Sequence, residues 1–250
     1  MPMRNSARTV SSSIRSVVAQ TFRDWELVVV DDSSTDSSRA EVQAFVEADR
    51  RIRLLNNPLS PGAARARNHG TKLARGRYIA FLDSDDLWLP TKLEEQLRLF
   101  TETETPITYT GYYKIAGAAA VEATEFVPNR RIVTPPRKLT YKKMLCQDYI
   151  GFLTAAYDTE KLGKQYFPDL ERRQDYALLL QIFRSGVVAH GLTEPLAIYR
   201  AARTGTLSSN KIRASRYNWH IYRKVERLPL PRAIWAFSNY AVRSGAKYLI

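Results

Sequence analysis

Glu26-Leu27-Val28-Val29-Val30-Asp31 limits what this chain can fold into more than any other stretch. A continuous β-branched run is the pattern of a strand covered on both faces, which occurs where helices flank a sheet on either side. The run ends in Asp31, Asp32, Ser33, Ser34, Thr35 and Asp36. Carboxylates at the carboxyl end of such a strand lie where open α/β sheets bind ligands. Around it the pattern predicts a helix over 7–20, with Val10, Ile14, Val17 and Val18 on one face, and a second over 37–49. A strand over 52–55, a breaker-rich loop over 57–62, a helix over 63–74 and a strand from Tyr78 follow. This alternation predicts a parallel sheet with right-handed crossovers. One piece is short: only Met1, Pro2 and Met3 precede Arg4 and Asn5, so the strand ahead of the first helix is expected to be missing or truncated.

The second constraint is Tyr78 to Trp88, an apolar strand followed by Asp83, Asp85 and Asp86. Carboxylates this close repel one another unless a cation or donor-rich ligand neutralises them, and hard oxygen ligands suit a divalent metal. An acidic turn capping the next helix, through Asp86 or Thr91, explains the same residues. On the 63–74 helix, Arg65 and Arg67 offer forked donors suited to a diphosphate, although a solvated helix face carries arginines equally well. A third acidic point is Glu171-Arg172-Arg173-Gln174-Asp175, which puts Asp175 in the first turn of an apolar helix, where the amide dipoles favour a carboxylate.

Composition narrows the partners. The 250 residues are 44% hydrophobic, enough for a substantial core, and 38 Lys and Arg against 25 Asp and Glu leave a charge of +13 that favours anionic partners. A nucleic-acid-binding protein accounts for that charge but gives no reason for acids at three strand or helix ends, which repel phosphates without a metal. One cysteine, Cys146, excludes an internal disulfide framework and reads as a small buried hydrophobe. No apolar run reaches the roughly 20 residues that span a bilayer. The three histidines are too dispersed for a metal signature, and the expected location is cytoplasmic.

Together these motifs resemble the inverting family 2 glycosyltransferases of the GT-A fold. The resemblance rests on Pro2 and Asn5, Gln20-Thr21-Phe22 before Trp25-Glu26, the Val28–Asp36 segment, Gly62 to Asn68 and Gly76 to Asp86, about the first hundred residues in register. Among such enzymes the chain is similar to bacterial ones that build capsular, teichuronic-type or lipopolysaccharide glycans. The resemblance implies that Asp32 contacts the uracil of a UDP-sugar, that Asp31 shapes that loop, and that Arg65 and Arg67 meet the nucleotide and its diphosphate. It also implies that Asp83 lies near the ribose, that Asp85 binds Mn²⁺ or Mg²⁺, and that Asp175, in the Gln174-Asp175 pair, is the catalytic base. Arg4 stands where the family usually has an aromatic residue.

The remaining chain is divided on this reading into a nucleotide-sugar half (1–98), an acceptor half (99–210) and a basic amphipathic helical tail (211–250). A helix is expected over 91–100, a strand over 107–113, a surface excursion over 126–136, a helix over 141–146 and strands over 150–157, 187–190 and 195–199. Arg200 to Ser209 reads as a mobile polar loop, and in similar enzymes such a segment folds over the diphosphate. That makes Arg200 and Arg203 candidate contacts to the leaving group. Lys211–Arg227 and Arg232–Ile250 read as helices. The last is suited to an anionic bilayer carrying a lipid-linked acceptor, on the inner face of the plasma membrane, or to packing on the catalytic domain. A glycosyltransferase remnant disabled by its short first strand is the competing functional reading.

Overall fold

In the computed structural model the described residues are 1–58, 61–116, 131–201 and 211–246. The expected excursion over 126–136 falls partly outside them, as do Arg203 with the rest of its loop and the chain beyond 246.

The first unit is a parallel sheet in the order β1 (Pro2–Met3), β2 (Leu27–Asp31), β3 (Ile52–Asn56). All five β2 residues are buried, as the β-branched run requires. α1 (Val10–Val18) and α2 (Ser38–Ala48) cover one face, sealed by Met3, Ile14, Val17, Val29, Val42 and Ile52. α3 (Ala63–Leu73) covers the other, where Val28 and Val30 meet Ala66. β1 exists but is two residues long, and its ladder continues backwards only to Met1, whose nitrogen donates to Val28 O at 2.9 Å.

The second unit is a seven-stranded mixed sheet. β4 (Tyr78–Ala80), β9 (Ala156–Asp158), β6 (Ile107–Ala116), β10 (Ala189–Ala201) and β5 (Leu87–Trp88) are in line. β7 (Arg131–Val133) pairs with β6, and β8 (Lys138–Leu139) with β10. The parallel character expected for one continuous sheet is thus shared between β1–β3 and the β6–β10 pair; the other pairings are antiparallel. Strands over 187–190 and 195–199 are one strand, β10, whose register slips on either side of Pro195, a residue with no N–H for the ladder. The strand expected over 150–157 is a 3-10 turn at Phe152–Thr154 followed by β9. At Gly191 a side chain is excluded, because a Cβ there would lie 2.0 Å from the Tyr109 ring.

α4 (Lys92–Thr103), α5 (Tyr141–Cys146) and the short α6 (Thr159–Leu162) connect these strands. The main core forms around α7 (Gln174–Arg184), whose Tyr176 to Leu180, Ile182 and Phe183 are all buried. Ile221, Tyr222, Leu228, Ala233 and Ala236 join that core, so the inner faces of the C-terminal helices pack on the body of the protein. These helices are α8 (Lys211–His220), extended by a π turn over Ile221–Val225, and α9 (Leu230–Ala246).

Candidate active site

The fold gathers five backbone pieces around a cavity of about 450 Å³. Pro2 and Met3 of β1 lead into Arg4 to Ser6, Arg8 and Thr9 lead into α1, Asp32 follows β2, Ala63 and Arg67 come from α3, and Asp83 to Asp85 follow β4. Turn chemistry holds the pieces together. Asn5 takes a left-handed φ of 50°, which its short polar side chain tolerates, and its Oδ1 accepts from Thr35 N at 2.8 Å. Asn5 N donates in return to Ser34 Oγ at 3.0 Å, tying the loops after β1 and β2 into one wall. The Ser6 and Ser84 hydroxyls meet at 2.8 Å and join that wall to the acidic turn.

Asp32 lines the cavity and accepts from Asn57 Nδ2 at 2.6 Å and from Gly62 N at 2.8 Å, so one carboxylate anchors the 57–62 loop at both ends. Asp31 is buried behind it, pairing with Arg39 at 2.9 Å and accepting from Ser34 N at 3.2 Å. These contacts shape the loop rather than open towards a ligand. Arg67 donates to Asp83, and its guanidinium lies 5.7 Å from the Phe152 ring and 5.5 Å from the Phe167 ring. Burial works against that charge, but Asp83, with Asp175 and Asp85 adding to it, outweighs the penalty and raises the Arg67 pKa. Arg65 parts from Arg67: it pairs with the exposed Asp169 at 2.9 Å and is not on the cavity wall.

The acids after β4 separate by environment. Asp86 N donates to Asp83 O at 3.1 Å, closing a turn that presents Asp83, Ser84 and Asp85 to the cavity. Asp85 is held above the usual carboxylate range by crowding protein and then by Asp83. Asp86 is buried and pushed up further, by burial first and by Asp85 and Asp83 next. It is not a helix cap, since Thr91 occupies that position before α4.

The position expected for Arg200 is corrected here. It belongs to β10 rather than to a polar loop, and is 4% exposed. Its backbone N–H donates to Asp86 Oδ1 at 2.9 Å, its Nε to Asp85 O, and its terminal nitrogens to Ser12 Oγ at 3.0 Å and Ser13 Oγ at 3.2 Å. The guanidinium clamps the acidic turn onto α1 instead of projecting towards a leaving group. Arg203 lies outside the described residues.

Asp175 is in the first turn of α7, where its Oδ1 accepts from Tyr176 N at 2.8 Å. It is electrostatically coupled to Arg67 and to Tyr199, so the acid from α7 and the acids after β4 share one field. Tyr199 was not singled out by sequence reasoning. Burial raises its pKa, and Asp86, Asp85, Asp83 and Asp175 raise it further. Its only signal in the sequence is a place in an apolar run. Arg173 was missed as well: at φ 60° it starts α7, contacts Asp148 at 3.4 Å and donates to Tyr240 Oη at 3.2 Å.

Among the described residues no group of three or more His, Cys, Asp or Glu side chains is arranged to hold a metal by itself. Asp85 with Asp83 nonetheless fits a divalent cation of the kind bound through one or two carboxylates and completed by ligand phosphates. Burial first, and Asp83 next, raise the Asp85 pKa, and a cation there would offset both.

The profile of the family described as Glycosyl transferase family 2 matches residues 1–155. The chain is 37% identical over 248 residues to a putative teichuronic acid biosynthesis glycosyltransferase of Bacillus subtilis, covering 99% of this chain and 95% of that one. It is also 37% identical over 246 residues to a UDP-Glc:alpha-D-GlcNAc-diphosphoundecaprenol beta-1,3-glucosyltransferase of Escherichia coli, covering 97% and 90%. S. aureus TarS in complex with UDP shares the fold, with TM-score 0.68 and 18% identity over 96% of this chain and 69% of that one.

Proposed function

The chain belongs to glycosyl transferase family 2, and from that premise we propose that it transfers a sugar, with inversion, from a UDP-sugar to a hydroxyl of a lipid-linked or growing cell-surface glycan. The observation that carries this reading is the meeting of Asp32, Arg67, Asp83 and Asp85 on one cavity that shares its field with Asp175. The relatives named for teichuronic acid synthesis and for a diphosphoundecaprenol acceptor support the acceptor class.

In this mechanism Asp32 and the Asn5 loop receive the nucleoside, with Asp83 near the ribose, and Arg67 holds Asp83 in place. Asp85 would hold a divalent cation such as Mn²⁺ or Mg²⁺, which would supply positive charge to the diphosphate. The Asp175 carboxylate accepts the proton of the acceptor hydroxyl as its oxygen bonds to the anomeric carbon. The bond from that carbon to the β-phosphate oxygen breaks on the opposite face, and its electron pair leaves on UDP. One displacement inverts the centre and needs no covalent intermediate.

A membrane-borne acceptor agrees with α9, whose outward Leu230, Ile234, Trp235 and Val242 are exposed beside Arg232 and Arg243. We place that face against an anionic bilayer, where apolar burial and basic attraction act together. No helix among the described residues is long and apolar enough to cross a membrane.

The test is thermal stabilisation by UDP with and without Mn²⁺, followed by transfer assays on a panel of nucleotide sugars. Asp85→Asn is expected to lose metal-dependent stabilisation, and Asp175→Asn to keep it while losing transfer. Absence of any UDP shift in the unmodified protein favours the disabled remnant; loss of both properties in Asp175→Asn assigns that residue a structural role.

A further inference from the structure

The segment that carries Asp175 into α7 is held by three tyrosines of the C-terminal helices. Tyr217 of α8 donates to Glu171 Oε2 at 2.6 Å, and Tyr240 Oη on α9 accepts from Arg173 at 3.2 Å. The Tyr222 hydroxyl, in the π turn, lies 3.0 Å from that of Tyr176. Asp175 falls in the chain between two of these points, Arg173 and Tyr176. Tyr176 is fixed from behind: it is fully buried, and its hydroxyl donates to Met144 O at 2.7 Å beside Tyr222, which donates to Leu145 O at 2.7 Å.

Arg173 is held against a cost. Its φ of 60° is a left-handed conformation that a long side chain seldom adopts, and its buried Nε has no hydrogen-bond partner among the described residues. Strain and an unanswered donor persist where the surroundings over-determine the pose. Here the surroundings are two aromatic rings, Tyr176 and Tyr240, with centres 4.8 Å and 5.7 Å from the guanidinium, and the Asp148 carboxylate at 3.4 Å. Burial works against the Arg173 charge, but Asp148, then Tyr240 and Asp175, outweigh it and raise its pKa. Asp175 follows two residues on, and its Oδ1 accepts from Tyr176 N at 2.8 Å. That N–H belongs to the first turn of α7, where no carbonyl within the helix can reach it, so the start of the helix and the orientation of the carboxylate are one arrangement.

We infer that Arg173 and Tyr240 are positioning residues for glycosyl transfer: α9 fixes the Arg173 guanidinium through Tyr240, and the fixed guanidinium sets the turn from which the Asp175 carboxylate faces the acceptor hydroxyl. The inference rests on the reading of Asp175 as the base. Neither positioning residue lines the nucleotide cavity, so donor binding does not depend on them. The helix that carries the exposed Ile234, Trp235 and Val242 is thereby also the helix that holds the base.

The experiment uses the full chain and two variants. Tyr240→Phe keeps the ring and removes the hydroxyl; Arg173→Asn removes the guanidinium and keeps a residue that tolerates the left-handed φ. The first readout needs no substrate. Hydrogen exchange at the Tyr176 amide, which reports the Asp175 carboxylate, is expected to quicken about tenfold or more in each variant, while the Leu180 amide in the middle of α7 keeps its wild-type rate. The second is transfer from the nucleotide sugar that the wild type turns over: kcat is expected to fall about tenfold or more with donor KM within about twofold, because misplacement of the base slows the chemical step alone. Unchanged Tyr176 exchange in both variants overturns the inference. So does quickened exchange with unchanged kcat, since the clamp then serves the fold only. Asp175→Asn separates the two readings: retained transfer there removes the base itself, whereas lost transfer there beside full transfer in the Arg173 and Tyr240 variants removes only their positioning role.

Discussion

Lys92 is fully buried in the first turn of α4 with no carboxylate partner among the described residues, and replacing it by Met tests what a buried ammonium costs the fold. Its ammonium donates to Gln96 Oε1 and lies 4.2 Å from the centre of the Trp88 ring. Gln96 passes the connection to Thr108 Oγ1 at 3.0 Å and Thr154 O at 2.9 Å, and Trp88 Nε1 donates to Leu153 O at 2.8 Å. Burial lowers the Lys92 pKa from 10.5 to about 7. Between those two values the unfolded chain carries a proton on Lys92 that the folded chain has released, so stability rises with pH across the window and is flat below it. The full shift corresponds to about 5 kcal/mol, of which about 2 kcal/mol falls between pH 7 and about pH 9. Lys92→Met deletes this dependence, while leaving Gln96 Oε1 without its donor costs about 1–3 kcal/mol. Urea denaturation of both proteins at the two pH values is the assay. The stability of the wild type relative to the variant is expected to improve by about 2 kcal/mol on going to the higher pH. Parallel profiles would mean that Lys92 keeps its proton in the folded protein, and the burial argument would fail.

Three further perturbations address the site and its frame. Gly191→Ala brings a Cβ against the Tyr109 ring, which is buried and held by a 2.7 Å hydrogen bond from its hydroxyl to Pro136 O; a loss of about 3 kcal/mol is expected by denaturation. Asp86→Asn keeps an acceptor for Arg200 N and removes a charge whose raised pKa makes ionisation costly; because the folded state holds that proton longer, wild-type stability falls as pH rises out of the ordinary carboxylate range, and the variant is expected to gain on wild type over that rise. Replacing Ile234, Trp235 and Val242 together by Ser is expected to abolish sedimentation with anionic vesicles while leaving the UDP-induced thermal shift in place, and unchanged sedimentation would remove the bilayer from the proposal.

The sequence by itself determined the elements whose signal is local. The β-branched run of β2, the apolar spacing of α1 and α2, and the 141–146 helix are patterns of covered faces, and the structure has each of them within a few residues. The family was legible for a related reason: Asp32, Asp83, Asp85 and Asp175 lie at or beside the ends of elements, with Arg67 on the helix between, and chain order preserves that pattern. Other features depend on contacts between distant segments. Arg200 and Arg203 occupy one polar stretch of sequence, but β10 pairing and the carboxylate of Asp86, 114 residues away, fix Arg200 inside the fold. Arg65 and Arg67 are two residues apart on one helix, so about 200° of rotation turns one to Asp169 on the surface and the other to Asp83 in the cavity. Neither Tyr199 nor Lys92 stood out in the sequence as a site residue, because their character comes from the charges and rings that other elements bring to them. The short first strand was readable from residue order, whereas its register against β2 is a relation between distant segments that no local pattern encodes.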